Sequence, residues 1–354
     1  MKINKLFFMS LLTITTFLLV GCKKEESTKN EIINNVCNYS VEVRNGMLCF
    51  RSAEDFLETR QMIMSMDEAE RRDWERQQGF KSYATKCYEL LEELESQGRT
   101  DDDVCDFFKQ YPEFFSIEAE DGDKVVRIIL GKSSYFYFVN ENRMMGLGKE
   151  CLKAFETGVL VAPMNMVEEL KSVGAFDDGS HSSHIKAIPL QSLSLLDNQL
   201  FLNNSKTDTI IVLENTSSHK SLRATRKSWS SGNRNTIELV ANRVYIPATE
   251  NSPAYYCSDF FLYDYPEHRV AGLWYPAKRR INYDVYVNWT VNGTQYNNVH
   301  LQTVDELAYS SRGELGIYHY SMPTYSFDLF KGTAYTYDTP AMNNFNSSLP
   351  NFGL

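Results

Sequence analysis

The sequence predicts an α+β fold, a small helix-and-hairpin N-terminal domain followed by a mostly antiparallel β-sandwich. Three observations carry that expectation. Apolar residues recur at helical spacing behind capping residues between Ser52 and Phe108. Beyond about residue 200 the alternation is period-two almost throughout. The charge is also divided: Cys22 to Asp123 holds 13 Lys+Arg against 25 Asp+Glu, whereas Lys124 to Leu354 holds 21 of each. At 354 residues and 43% apolar, the chain can bury a real core, which excludes wholesale disorder. A formal charge of −10 argues against general nucleic-acid binding.

The elements follow in order. Tyr39 to Phe50 alternates around Asn45-Gly46, predicting a hairpin with a type I′ turn. Ser52-x-x-Asp55 opens a helix with Phe56, Met62, Ile63 and Met66 on one face. Asp67-Glu68-Ala69-Glu70 starts a second helix carrying Trp74. Tyr83 to Leu94 makes a third, and Asp101 to Phe108 a fourth, stopped before Pro112. Lys124–Leu130 and Tyr135–Val139 read as paired strands. Gly148–Phe155 and Val159–Ala162 read as a hairpin about Thr157-Gly158, with a short helix as the alternative. Met164–Val173 is helical, and a polar loop begins at Asp177. Strands are then expected at Thr209–Leu213, Thr236–Ile246, Tyr255–Tyr263, Gly272–Tyr275, Ile281–Val291, Ile317–Phe330 and Thr333–Tyr337. In Ile281–Val291, Ile281, Tyr283, Val285, Val287, Trp289 and Val291 share one face, and Asn292-Gly293 turns the chain back.

The chain opens with Lys2 and Lys5, an apolar run of 15 residues from Leu6 to Val20, and Leu19-Val20-Gly21-Cys22. The run is shorter than the ~20 residues of a spanning helix, and the order is that of a secretory signal. Leu-Val-Gly-Cys resembles the bacterial lipobox. That resemblance implies removal of residues 1–21, acyl chains such as palmitate on Cys22, and a membrane partner reached through that lipid. Lys23-Lys24-Glu25-Glu26 resembles the surface-export signal of Bacteroidetes lipoproteins, implying a surface-exposed place on the cell outer membrane with residues 22–35 as a tether. Asp208-Thr209-Ile210 fits the O-glycosylation pattern of that phylum. Met47-Leu48-Cys49-Phe50 with Glu54-Asp55-Phe56, Trp74-Glu75 and Gly79-Phe80 resembles the opening of an uncharacterised family of Bacteroidetes surface lipoproteins. The likeness implies a hairpin, an acidic helical stretch and a β-rich C-terminal part, and brings no functional residues. The expected domains are residues 36–185, acidic and α+β, and 200–354, sandwich-like.

Besides Cys22 there are Cys37, Cys49, Cys87, Cys105, Cys151 and Cys257, an even number that allows 15 pairings. Apolar neighbours favour buried free thiols for most of them, with Cys87 and Cys105 on successive helices the first pair to test. No C-x-x-C or zinc-knuckle spacing occurs. His181-Ser-Ser-His184 beside Asp177 and Asp178 could hold a metal on a helix, but the segment reads as a solvated Ser/Gly loop. Gly131-Lys132-Ser133-Ser134 has Val126 where a phosphate loop needs glycine, so it reads as a turn. Met145-Gly146-Leu147-Gly148 lacks the third glycine of a dinucleotide fingerprint, and no G-x-S-x-G elbow exists. No catalytic residue, metal or cofactor is nominated.

Two features remain. Tyr255 to Tyr296 holds 12 aromatics in 42 residues. Of these, Tyr283 and Trp289 are expected in the core, and Trp274, Tyr275 and Tyr286 on the surface, where rings stack on sugars or anchor partners. The acid-free stretch Asn215–Ile237 carries Lys220, Arg223, Arg226, Lys227 and Arg234 around Trp229, an attraction for anionic glycan or a mobile solvated hairpin. The candidate ligand-binding set is therefore Trp274, Tyr275, Tyr286, Trp229, Arg226 and Lys227. The functional expectation is a lipid-anchored cell-envelope protein, a non-enzymatic module for a glycan or envelope-protein partner. An extracellular hydrolase with a site assembled from distant residues is the alternative, and a structural subunit of an envelope complex a third.

Overall fold

The computed structural model describes residues 41–97, 101–133, 135–176, 182–189, 219–230, 232–246, 255–270, 272–291, 294–320, 325–336 and 342–343. Cys22, Cys37, Asp177, Asp178, His181 and the Thr209–Leu213 segment lie outside them. The chain is α+β.

The opening hairpin joins β1 (Val41–Arg44) to β2 (Met47–Phe50). Asn45 and Gly46 take φ 51° and 71°, the two left-handed positions a type I′ turn requires. Ser52 Oγ then accepts the Asp55 N–H and starts α1 (Ala53–Met64). Asp67 and Glu70 form a reciprocal capping box on α2 (Glu68–Gln78), which Gly79 ends at φ 67°. Helix α3 (Tyr83–Ser96) buries Tyr83, Cys87, Leu91 and Leu94 on one stripe, and α4 (Asp101–Gln110) buries Phe107 and Phe108.

The next strands correct one expectation. β4 (Asp123–Ile128) pairs backward with β3 (Phe115–Glu120), not forward with Tyr135–Val139. That later segment forms successive turns, with Phe138 N–H donating to the Tyr135 carbonyl. Tyr135, Phe136, Phe138 and Val139 are all buried, and their apolar run suits a turn inside the core as well as a strand. Phe138 and Tyr135 pack on Phe56, and Phe136 on Tyr83 and Tyr88.

β5 (Met144–Leu147), β6 (Glu150–Phe155) and β7 (Gly158–Pro163) follow, and Phe155 faces Gly158 across the expected hairpin. A 3₁₀ turn at Met164–Met166 and α5 (Val167–Ser172) precede β8 (Lys186–Pro189). The first sheet has the order β1-β2-β5-β6-β7-β8, with β2 and β5 parallel. Its central strands β2, β5, β6 and β7 alternate between two covered faces, whereas the edge strand β1 exposes Glu42 and Arg44. Phe50 meets Phe56 of α1, while Met47 and Cys49 join a cluster with Met144, Cys151 and Leu170 of α5.

The C-terminal strands are β9 (His219–Ser230), β10 (Asn233–Ile246), β11 (Tyr255–Val270), β12 (Leu273–Pro276), β13 (Arg279–Val291), β14 (Thr294–Ala308), β15 (Ser311–Tyr320), β16 (Tyr325–Thr336) and β17 (Met342–Asn343). The second sheet runs β3-β4-β12-β11-β10-β9, with β4 and β12 parallel. At 16 residues β11 is long enough to hold two neighbours on one edge, β15 along Tyr256–Asp264 and β12 along Glu267–Val270. The expected division between 36–185 and 200–354 thus runs through a sheet. The third sheet is β14-β13-β16-β17. There the ladder of β13 with β14 shifts register at Ile281/Tyr283 and at Val287/Trp289, bulges that a plain alternation does not foresee.

Cys49, Cys87, Cys105 and Cys151 are free thiols, and the first, second and fourth are buried. The Cys87–Cys105 bridge is therefore not formed; Cys87 sits inside the apolar stripe of α3 while Cys105 is half-buried.

Candidate functional site

Strand pleating builds a charged face on the second sheet. On β10 the alternation sends Arg234, Thr236 and Glu238 to the side on which β11 presents Glu267, Tyr265 and Tyr263, their direct register partners. Lys227 of β9 is in register with Thr236, and β3 and β4 add Glu118, Glu120 and Arg127. Lys132 arrives from the turn after β4, where Gly131 N–H donates to Ile128 O at 2.9 Å, the role expected for that Gly-Lys pair.

These side chains form one ion network. The Glu267 carboxylate accepts from Arg234 Nε at 2.6 Å and Nη2 at 2.9 Å, from Thr236 Oγ1 at 2.8 Å and from Arg127 Nη1 at 2.7 Å. Four donors on one carboxylate, two from a bidentate guanidinium, are what a 1% exposed charge needs to offset desolvation. Arg127 also pairs with Glu120, whose Oε1 accepts from Lys227 at 2.6 Å; Lys227 reaches Asp121 at 2.7 Å as well. Burial pushes the Glu120 carboxyl up, but the Lys227 hydrogen bond and the Arg127 and Lys227 charges outweigh it and hold it below the usual range. Lys132 Nζ meets Glu238 at 2.6 Å.

Above the network lies a cavity of about 330 Å³, lined by Glu118, Arg127, Lys132, Glu238, Tyr265 and Tyr309 among others. That volume is at the small end of ligand sites. Tyr265 is half-buried and stacks on Tyr263, their centroids 5.9 Å apart, with Lys132 Nζ 5.7 Å from its ring. Tyr309 is 1% exposed and stacks on Tyr88 of α3 at 5.0 Å. Its buried hydroxyl has no hydrogen-bond partner among the described residues. Burial, with the Glu95, Glu92 and Glu68 charges, raises its pKa, so it is a neutral donor and acceptor.

The expected exposure of Trp274 and Tyr275 is corrected. They are 3% and 6% exposed and occupy opposite faces of β12. Trp274 lies under the Arg234 guanidinium at 4.4 Å and donates from Nε1 to Asp123 at 3.1 Å. Tyr275 packs against His268 and Phe108, 5.7 and 5.8 Å away. Trp274 is covered by the Arg234 and Arg269 guanidinium groups, and Tyr275 by Phe108 of α4 and by His268, all distant in sequence or brought in by strand pairing. Lys227 is committed to Glu120 and Asp121 rather than free for a ligand, and the described part of the acid-free stretch is a hairpin, β9 pairing with β10 from Ser230 opposite Asn233. Register places Trp229 opposite Arg234, Arg226 opposite Ile237, and Tyr286 between His300 and Lys331. His184 is exposed, and the described residues contain no group of three or more His, Cys, Asp or Glu able to hold a metal.

Sequence reasoning missed Glu120, Arg127, Glu238, Tyr265, Glu267 and Tyr309. A signal existed for part of them: Arg234-x-Thr236-x-Glu238 and Tyr263-x-Tyr265-x-Glu267 are polar sides of alternating strands.

No family model matches the chain, and no curated protein does. Among solved structures, the chain is similar to a DUF4848 family protein from Bacteroides thetaiotaomicron. Identity is 11% and the TM-score 0.29, over 85% of this chain and 96% of that one.

Proposed function

We propose that this chain is a lipid-anchored, surface-exposed outer-membrane protein that binds a glycan without turning it over. In this reading the second sheet, which joins β3 and β4 to strands beyond residue 200, carries the binding part, and Cys22 carries the anchor. The observation that carries the binding reading is the Tyr309 hydroxyl, buried beside a polar cavity with no described partner. An unmet buried hydroxyl costs about 1–3 kcal/mol, which a sugar hydroxyl relieves. The half-buried Tyr265 ring supplies an apolar face of the kind pyranose C–H groups stack on, and the exposed Glu118 supplies an acceptor. Hydrolysis by a carboxyl pair needs two acids free to exchange a proton. Here Glu120, Glu238 and Glu267 are each committed to a lysine or arginine, which favours binding over turnover.

The test is a glycan array probed with the full chain in detergent. Retention of an oligosaccharide that Tyr309→Phe and Tyr265→Ala both weaken is the expected result. Hydrolysis of the retained glycan, or no retention at all, overturns the reading. Anchoring is tested separately by mass spectrometry of the N-terminal peptide from cells: acyl chains on Cys22 are expected, and an uncut leader refutes it.

A further inference from the structure

The charges around the cavity are unbalanced, and the imbalance selects what enters. Four carboxylates line it, those of Glu118, Glu120, Glu238 and Glu267, against two cations, Arg127 and Lys132. Both cations are engaged, Arg127 with Glu120 and Glu267 and Lys132 with Glu238. Lys227 and Arg234, which are not lining residues, complete the neutralisation of Glu120 and Glu267. Glu118 is left over. Its exposed carboxylate accepts from the Ser116 hydroxyl at 2.9 Å, and no cation among the described residues pairs with it.

The same sign prevails at the inner end. Near Tyr309, Glu68 and Glu92 share Arg72 and Lys278, while Glu95 makes no ion pair and accepts the Lys278 backbone N–H at 3.3 Å. An anion therefore meets no unpaired cation in this cavity, and a neutral ring leaves Glu118 unanswered. Two cations of the acid-free stretch, Lys227 and Arg234, suggest an anionic glycan when read in sequence; in the fold both are taken by acids. A cleft whose unmatched charge has one sign concentrates its field on the entering group.

We propose that the cavity takes a sugar carrying a protonated primary amine, a hexosamine unit whose ammonium group meets Glu118 while a ring hydroxyl meets Tyr309. This rests on the glycan reading above and names the class of glycan. The cavity is small, which suits a single sugar ring rather than a long chain.

The experiment is calorimetric titration of the full chain in detergent at about pH 6, where a primary amine is protonated. The ligands are glucosamine, N-acetylglucosamine and galacturonate oligomers of equal length. The amine form is expected to bind about threefold more tightly than the acetylated form, the gain a solvent-open carboxylate gives, and galacturonate most weakly. Glu118→Gln is isosteric at an exposed position, so the fold is safe, and it removes the preference for the amine. Raising the pH until the amine is neutral removes it in the wild type, and added salt shrinks it. Equal affinity for the two forms, a preference that survives Glu118→Gln, or tighter binding of galacturonate overturns the proposal. Spermidine, an amine without a sugar ring, separates this failure from that of the glycan reading. If spermidine binds, weakened by Glu118→Gln, while no sugar does, the glycan reading falls and amine selection by Glu118 is upheld. If neither sugar nor spermidine binds, both fall.

Discussion

Removing the Glu267 carboxylate leaves Arg234, whose side chain is 1% exposed, without its bidentate partner. Breaking a buried pair from one side costs about 3–5 kcal/mol, so Glu267→Ala is expected to lower stability by that amount in urea unfolding. Lys81→Ala removes a far more exposed pair with Glu89 and changes the midpoint little. Lys153 is a different case. Its ammonium donates to Lys171 O at 2.7 Å and Val173 O at 2.6 Å, carbonyls at the end of α5. Burial first, then the Arg143 and Lys171 charges, push its pKa down to about 8. The unfolded chain therefore holds the proton more tightly, and the penalty is present in full at neutral pH. It is relieved as pH rises from about 8 toward the ordinary lysine value. The stability difference between wild type and Lys153→Met should accordingly move in the wild type's favour between about pH 7 and 9.5. A difference that stays flat would mean that the amine titrates normally.

The first three helices begin where a short side chain meets their free N–H groups: Ser52, Asp67 and Ser82 cap them in succession. At α2 the cap is reciprocal, and Asp67→Ala is expected to cost about 1 kcal/mol by denaturant unfolding. Those caps, the Asn45-Gly46 turn and the β6–β7 hairpin are local, and the sequence displays them directly. Tyr135–Val139 was open to misreading because its apolar residues suit a strand equally well. The competing partner, Phe115–Glu120, reaches β4 through Asp121-Gly122 at φ 53° and 86°, the shorter route. The long ladder of β10 with β11 follows from alternation alone, whereas the bulges in β13 depend on its neighbours.

Across the whole molecule the acidic surplus of the N-terminal part is spent on cations of the C-terminal strands. Lys278 Nζ bridges Glu68 at 2.9 Å and Glu92 at 3.1 Å; Lys227 meets Glu120, and Arg269 meets Asp123 at 3.1 Å. Burial alone would raise the Glu92 carboxyl, but hydrogen bonds from Lys278 and Arg72 bring it below the usual range, as Lys227 and Arg127 do for Glu120. A depressed carboxylate contributes stability above its ordinary pKa and loses it as pH falls through the folded value. The acid limb of the stability curve should therefore flatten in Lys227→Met/Lys278→Met, measured by unfolding between about pH 5 and 3. An unchanged limb would show that these contacts do not couple the two parts.

The leader pattern, the helix caps, the turns and the alternating strands are determined by residues within a few positions of one another, and for these the sequence alone suffices. What covers Trp274, what neutralises Lys227 and where Tyr309 stacks depend on pairings across more than a hundred residues, such as β4 beside β12. Alternation fixes which residues share a face. Only tertiary contact decides which face meets solvent and which meets an opposite charge, because burial and Coulomb energy depend on position in space rather than along the chain.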